Sequence, residues 1–265
     1  MTPDEHAEAA KALFEADENR KQIGLLSLKY PKIDMADSYA IQSLLVNNKI
    51  LAGNEVIGWK IGLTSKAMQN ALNINTPDSG VLLSDMVFGN GSTIPANRFI
   101  QPRIEAEIAF VMKSDLSGKA SRSDVLSATE YVCPSIEILD TRVLRFDPKT
   151  GKTRIVFDTI SDNAANAGIV LGNKRHDPED IDLRWVGAIV SRDGEVEETG
   201  LGAGVLNDPV MGIAWLAERL GKYDQKIRKG DVVLSGSFIR PIECPSGTSI
   251  FADFSDFGSV NLNFE

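Results

Sequence analysis

Between Gln101 and Met112 the chain alternates, with Ile104, Ala106, Ile108 and Phe110 on one parity and Glu105 and Glu107 on the other, followed there by Ala109 and Val111. A period of two is the signature of a strand, so the two carboxylates stand side by side on a face that continues into apolar residues. A second apolar run, Val132 to Leu139, predicts a strand holding Glu137 among Ile136, Ile138 and Leu139. A third, Glu55 to Gly62, holds Lys60 among Val56, Ile57, Trp59 and Ile61. The N-terminal fifth has helical spacing instead. Thr2-Pro3-Asp4-Glu5 is a capping box with proline at the first helical position, and the predicted helix runs to about Ile23 on a thin stripe of Ala10, Leu13 and Phe14. A second helix starts near Asp34 or Asp37, carries Ile41, Leu44, Leu45 and Leu51, and stops at Gly53.

The remaining pattern predicts shorter pieces. Thr64-Ser65 opens a helix from Lys66 to Leu72, whose free amides and hydroxyls would suit a carboxylate, and Asn75 to Gly80 is a turn-rich loop in which Asp78 is most simply a turn residue. Ser123 caps a helix through Tyr131; Asp140 to Arg154 is a polar loop of lid-like length; Phe157 to Gly168, rich in small and polar residues, leads into the strand Ile169 to Leu171. Leu183 to Ser191 and Val196 onward are strands joined by the hairpin signal Asp193-Gly194, and Asp208-Pro209 begins a helix that Gly221 ends. Lys229-Gly230-Asp231 turns into Val232-Val233-Leu234, and Phe251 to Phe264 gives two last strands. Many short strands with few helices predict an α+β fold with a closed or rolled sheet rather than βαβ units. The division expected is a helical portion, 1–54, on a β-rich core, 55–265.

A chain of 265 residues buries roughly 70–75% of its unfolded surface, enough for one sizeable core. With 28 Lys+Arg against 37 Asp+Glu the net charge is −9, which argues against nucleic acid or an anionic membrane as partner. No segment approaches about 18 consecutive apolar residues, and the N-terminus lacks a basic region followed by an apolar run, so a soluble cytoplasmic protein is expected. Cys133 and Cys244 are too few for a disulfide framework and are read as free thiols.

Charge placement sharpens this. Two close carboxylates repel unless a proton or a cation lies between them, and oxygen-only ligation suits magnesium, manganese or calcium better than zinc. The plainer alternative is an edge strand whose acidic face looks at water. Lys60 has its own plain alternative, a lysine snorkelling to the surface. The two histidines, His6 and His176, both lie in polar contexts that read as exposed, which weakens triad catalysis and imidazole-based zinc sites. Three glutamates, a lysine in an apolar run and a loop aspartate suit a metal that binds an acidic keto compound, with lysine or aspartate moving protons.

Several stretches then agree with one known family. Gly58 to Met68, Pro102-Arg103-Ile104-Glu105-Ala106-Glu107, Phe157 to Gly168, and Gly236-Ser237-Phe238, in this order over nearly the whole chain, resemble the 2-oxo-hept-4-ene-1,7-dioate hydratases. Those enzymes stand with the 2-hydroxypentadienoate hydratases and 4-oxalocrotonate decarboxylases in the fumarylacetoacetate hydrolase superfamily. The resemblance implies a mixed β-roll or barrel core, a Mg2+ or Mn2+ ion, and assembly as a homo-oligomer, pentamer or decamer. It implies Glu105, Glu107 and Glu137 as metal carboxylates, Lys60 and Asp78 as proton-transfer residues, and Thr64, Ser65, Ser161 and Ser237 along the substrate pocket. Trp59, where histidine is expected beside the lysine, and Ile239, where threonine is usual, depart from the family, which leaves the metal site untouched and bears on the distal specificity. The function implied is hydration of a 2-hydroxy-2,4-dienoate, with a small dicarboxylate as substrate and a pathway decarboxylase as a potential partner. Arg142, Arg145, Arg154 and Arg240 are candidates for the second carboxylate, since a guanidinium binds one bidentately. A decarboxylase on the same 2-oxo acid and a catalytically silent scaffold are the alternatives. A carbon–carbon hydrolase would need a Glu-His pair.

Overall fold

A computed structural model of the chain describes residues 1–71 and 74–265. The helices are α1 Pro3–Glu18, α2 Leu26–Lys29, α3 Met35–Leu51, α4 Lys66–Ala71, α5 Arg122–Ala128, α6 Val156–Ser161 and α7 Pro209–Gly221. The strands are β1 Val56–Gly62, β2 Asp78–Leu83, β3 Val87–Phe88, β4 Thr93–Ile94, β5 Arg103–Met112, β6 Thr129–Leu139, β7 Asn166–Leu171, β8 Gly187–Arg192, β9 Glu195–Leu201, β10 Val232–Leu234, β11 Ile242–Glu243, β12 Ser249–Asp253 and β13 Ser259–Phe264.

Two mixed sheets result, the α+β architecture expected. In the larger, the order is β2-β1-β10-β5-β6-β7-β3 with β11 also on β5; the smaller runs β4-β13-β12-β8-β9. The acidic strand β5 is therefore central, flanked by β6 on one side and by β10 and β11 on the other. Its apolar parity, Ile104, Ala106, Ile108 and Phe110, is fully buried with Ile136 and Ile138 of β6 against α7 and the smaller sheet, including Val190, Ile250, Val260 and Leu262. That packing fixes the register, because a slip of one residue would turn both glutamates into the core.

The first helix stops at Glu18 rather than near Ile23. Arg20 takes a left-handed φ of 51°, and Ile23 bridges Val143 instead. Asp34 caps α3 through a capping box with Asp37, and Gly53 follows its end at φ 102°. The hydroxyl that caps α5 belongs to Ser121, not Ser123, and the chain turns to strand at Thr129, where β-type residues outweigh the expected helix to Tyr131. A 3-10 turn at Leu183–Trp185 precedes β8, so that strand begins four residues later than expected. Of the helix expected from Lys66 to Leu72, Leu72 lies outside the described residues. Among the described residues no helix is long and apolar enough to cross a membrane.

Candidate metal centre and proton-transfer site

In the register of β5 and β6, Glu105 lies directly opposite Glu137, and Glu107 opposite Ser135. One carboxylate oxygen from each of Glu105, Glu107 and Glu137 lies within 4.8 Å of the others. Glu107 and Glu137 are completely buried. On the same sheet face, Leu82, Ala109, Cys133, Ile169 and Leu234 make an apolar floor. Glu107 Oε2 accepts a hydrogen bond from the Gly236 amide at 2.8 Å. Glu107 Oε1 and both Glu137 oxygens receive no hydrogen bond, Glu137 Oε1 having only an ion pair with Lys60 Nζ at 3.3 Å. Buried carboxylate oxygens left bare are costly, and a hard divalent cation is the group that oxygen-only donors at this spacing fit.

Lys60 does not snorkel. It comes from β1, which reaches the acidic strand through the short β10, and it is 3% exposed. Burial alone would lower its pKa, but Glu137, Asp78, Glu105 and Glu107 outweigh that and hold it above the ordinary value. Asp78 is not a turn residue either: it opens β2 opposite Gly62, where it is buried and its pKa is raised by desolvation against the pull of Lys60 and Arg219. Gly62 explains how the two meet. A Cβ there would run into Asp78 Oδ1 and stand 3.2 Å from Lys60 Nζ, so only glycine leaves room for the pair.

Burial, then repulsion from Glu137, raises the Glu105 pKa to about 8, and burial raises Glu107 and Glu137 as well. A metal must displace those protons. Affinity for a divalent ion is therefore expected to climb as pH rises from 6 to 8, by about tenfold per unit for each proton released. The same shifts make the metal-free protein less stable as pH rises from the ordinary glutamate value, 4.5, toward 8, because the folded state holds protons there that the unfolded state has lost. Calorimetry in buffers of differing ionisation heat counts the protons, and a pH-independent affinity would contradict the account.

Thr64 is buried beneath Gly236, whose φ of 115° and contact with the threonine side chain exclude a Cβ. Ser65 is half-buried in the loop before α4. Ser161, at the end of α6 against β2, donates to the Phe157 carbonyl at 2.8 Å, and Ser237, half-buried after β10, donates to the Ile239 carbonyl at 2.9 Å. Arg142 is diverted from any ligand. It is buried, with Nε 2.5 Å from Asp162 Oδ1 and its other nitrogens on the Asp162 and Asn166 carbonyls. Arg240 is exposed and paired with Glu198. The histidines are half-buried rather than exposed, His6 on Asp37 and His176 stacked on Phe257, and neither joins the carboxylate cluster.

Sequence reasoning passed over two features. Asn163, Ala164 and Ala165 all take left-handed φ, 50°, 53° and 61°, a strained turn clamped to β2 by Asn163 bonding both the amide and carbonyl of Val81. The density of small and polar residues from 157 to 168 was its only signal. Arg103 shares the parity of Glu105, which places it one same-face step from the cluster. A groove of about 1150 Å³ lies elsewhere, between α3, β1 and the end of α7, and none of the three glutamates lines it.

No protein-family model matches the chain. It is 48% identical over 260 residues to a 2-oxo-hept-4-ene-1,7-dioate hydratase of Escherichia coli, covering 98% of this chain and 97% of that one. It is 37% identical to a 2-keto-4-pentenoate hydratase of Paraburkholderia xenovorans, covering 100% and 97%. Among solved structures, the 4-oxalocrotonate decarboxylase from Pseudomonas putida G7 complexed with magnesium and adipate superposes with a TM-score of 0.94 at 30% identity, over 100% of this chain and 99% of that one. A fumarylpyruvate hydrolase from Pseudomonas aeruginosa in complex with Mn2+ and pyruvate shares the fold, with a TM-score of 0.58 at 10% identity over 78% and 88%.

Proposed function

The chain belongs to the family of 2-oxo-hept-4-ene-1,7-dioate and 2-keto-4-pentenoate hydratases, with the fold of the fumarylacetoacetate hydrolase superfamily, and from that membership we propose that it is a magnesium-dependent hydro-lyase for a 2-hydroxy-2,4-dienoate bearing a second carboxylate. The observation that carries this is Lys60 Nζ at 3.3 Å from Glu137, inside a buried cluster of three carboxylates whose bare oxygens fit a hard divalent ion. Glu105, Glu107 and Glu137 would hold that ion, which when bound supplies Lewis-acid polarisation of the substrate's 2-oxo group. Manganese suits the same donors; magnesium is preferred because the neighbour at TM-score 0.94 was crystallised with it, and with adipate, a dicarboxylate.

The reaction needs three proton movements. The dienol gives up its hydroxyl proton, C5 gains one to leave a C3=C4 bond conjugated to the 2-oxo group, and water adds its oxygen to C4 and a proton to C3. Lys60, kept in its ammonium form by the surrounding carboxylates, is the donor; Asp78, its partner across Gly62, is the acceptor that returns the proton. The apolar floor beside the cluster would keep bulk water from these steps on that side.

The fit to 4-oxalocrotonate decarboxylase favours a second reading, loss of the 1-carboxylate from the same 2-oxo acid, but the hydratase relative is the more similar in sequence, 48% against 30%. Incubation with 2-hydroxyhepta-2,4-diene-1,7-dioate and magnesium separates the two. The dienol absorbance should fall with formation of a 4-hydroxy-2-oxo acid heavier by one water. Carbon dioxide released without that product would make the protein a decarboxylase. The proposal extends to self-association, supported by Ile50, Leu51 and Val56, which are exposed at the end of α3 and the start of β1. It also extends to the cytoplasm, whose reducing conditions suit two buried free thiols.

A further inference from the structure

We propose that Arg103, Arg145 and Arg154 together form the subsite that receives the second carboxylate of the substrate. The inference rests on the reading that the three glutamates and their ion take the 2-oxo acid end. The topology brings the arginines to one place. Arg103 begins β5 opposite Leu139, the last residue of β6, so the loop leaving β6 starts at the end of the sheet where Arg103 stands. That loop carries Arg145 and Arg154, which the Arg154 amide draws together by bonding the Arg145 carbonyl at 2.9 Å. Arg145 Nη1 and Arg103 Nε approach the same oxygen of Glu243, at 2.8 and 3.9 Å.

Glu243 is the carboxylate that Arg103 and Arg145 share, and its side chain is 56% exposed. Donor capacity is left over. Arg103 Nε, Arg145 Nε and Arg154 Nη1 are each buried with no hydrogen-bond partner, although Arg145 Nη2 is used by the Gln101 carbonyl. Buried guanidinium N–H groups without acceptors are expensive, and an anion with two oxygens is what satisfies several at once. Burial lowers the pKa of Arg154, Asp162 raises it, and Arg103 and Arg145 lower it further, with Asp158 raising it.

Spacing agrees with a substrate bridging the two ends. Same-face residues on a strand are about 6.6 Å apart, so Arg103 is one such step from the nearest metal carboxylate, Glu105. An extended chain with five carbons between its carboxyl groups spans that interval; a short monocarboxylate cannot reach. Arg142 spends its guanidinium on Asp162 and the Asn166 carbonyl, and Arg240 stands out in solvent beside Glu198.

Two probes that lack the alkene and so cannot be hydrated test this, 2-oxoheptanedioate and 2-oxoheptanoate, equal in chain length and differing only in the terminal carboxylate. Calorimetry with magnesium present should find the dicarboxylate bound about 10- to 100-fold more tightly by the unaltered protein, and Arg154→Met should bring that ratio toward one. Arg154→Lys should restore part of it. Arg145→Met serves as the second variant should Arg154→Met fail to fold. A variant that binds magnesium normally and keeps the preference overturns the subsite while leaving the hydratase reading standing. If the unaltered protein binds neither 2-oxo acid in a magnesium-dependent way, the reading of the metal end falls, and the subsite with it.

Discussion

Glu137→Gln is expected to abolish magnesium binding and to cut turnover by at least about 10³-fold while the protein still folds. Glu137 sits on a central strand, fully buried, opposite Glu105, with neither of its oxygens hydrogen-bonded. The amide keeps the shape of the carboxylate, so β6 loses no packing. What changes is charge. Without metal, desolvation already holds all three carboxyls toward their neutral form, and the cluster is a liability to the fold. Neutralising one member relieves repulsion on Glu105 and Glu107 but takes from Lys60 its nearest counter-ion. The metal-free variant should therefore melt close to the metal-free parent. The difference appears on adding magnesium, which at 100 times its Kd stabilises the parent by about 2.7 kcal/mol and should leave the variant unmoved. Melting curves with and without the ion, beside steady-state rates, check both parts. Magnesium-dependent stabilisation of the variant, or a rate within tenfold of the parent, would remove Glu137 from the metal site.

How much of this was legible in the sequence depends on whether a signal is local. The parity of Glu105 and Glu107, the acid in the apolar run at Glu137, the capping box at Thr2 and the Asp193-Gly194 hairpin are each complete within a few residues, and the structure contains them as strands, helix and turn. In the sequence Asp78 reads as a turn residue because Thr76-Pro77 before it and Ser79-Gly80 after it look like a loop. Only pairing with Gly62, sixteen residues earlier, makes it a strand residue and brings it to Lys60. Arg142 looked available because nothing beside it in the chain is acidic except Asp140. Its partner, Asp162, is twenty residues on. Arg103 lay in plain view in the same motif as the glutamates, but its value depends on a loop returning from β6, which no spacing rule encodes.

The second large effect is expected at Lys60. Lys60→Met, which keeps the length and apolar stem of the side chain and removes the charge, should lower kcat by about 10²- to 10⁴-fold, the range of a lost general acid. Magnesium affinity should hold or improve, because the ammonium 3.3 Å from Glu137 competes with the ion for the same carboxylates. That opposite pair of outcomes separates a proton carrier from a residue that merely stabilises the cluster, and from a silent scaffold, which would need no lysine here. Exchange of the C3 protons of 2-oxoheptanedioate for deuterium, followed by NMR with magnesium present, reads the proton step without the full reaction and should slow in parallel with kcat. Lys60→Arg completes the test. A guanidinium replaces the charge beside Glu137 but does not release its proton at any pH the protein survives. It should restore the melting temperature of the metal-free protein and leave the exchange slow; an arginine that restored exchange would make Lys60 a counter-ion and pass the proton chemistry to Asp78 alone.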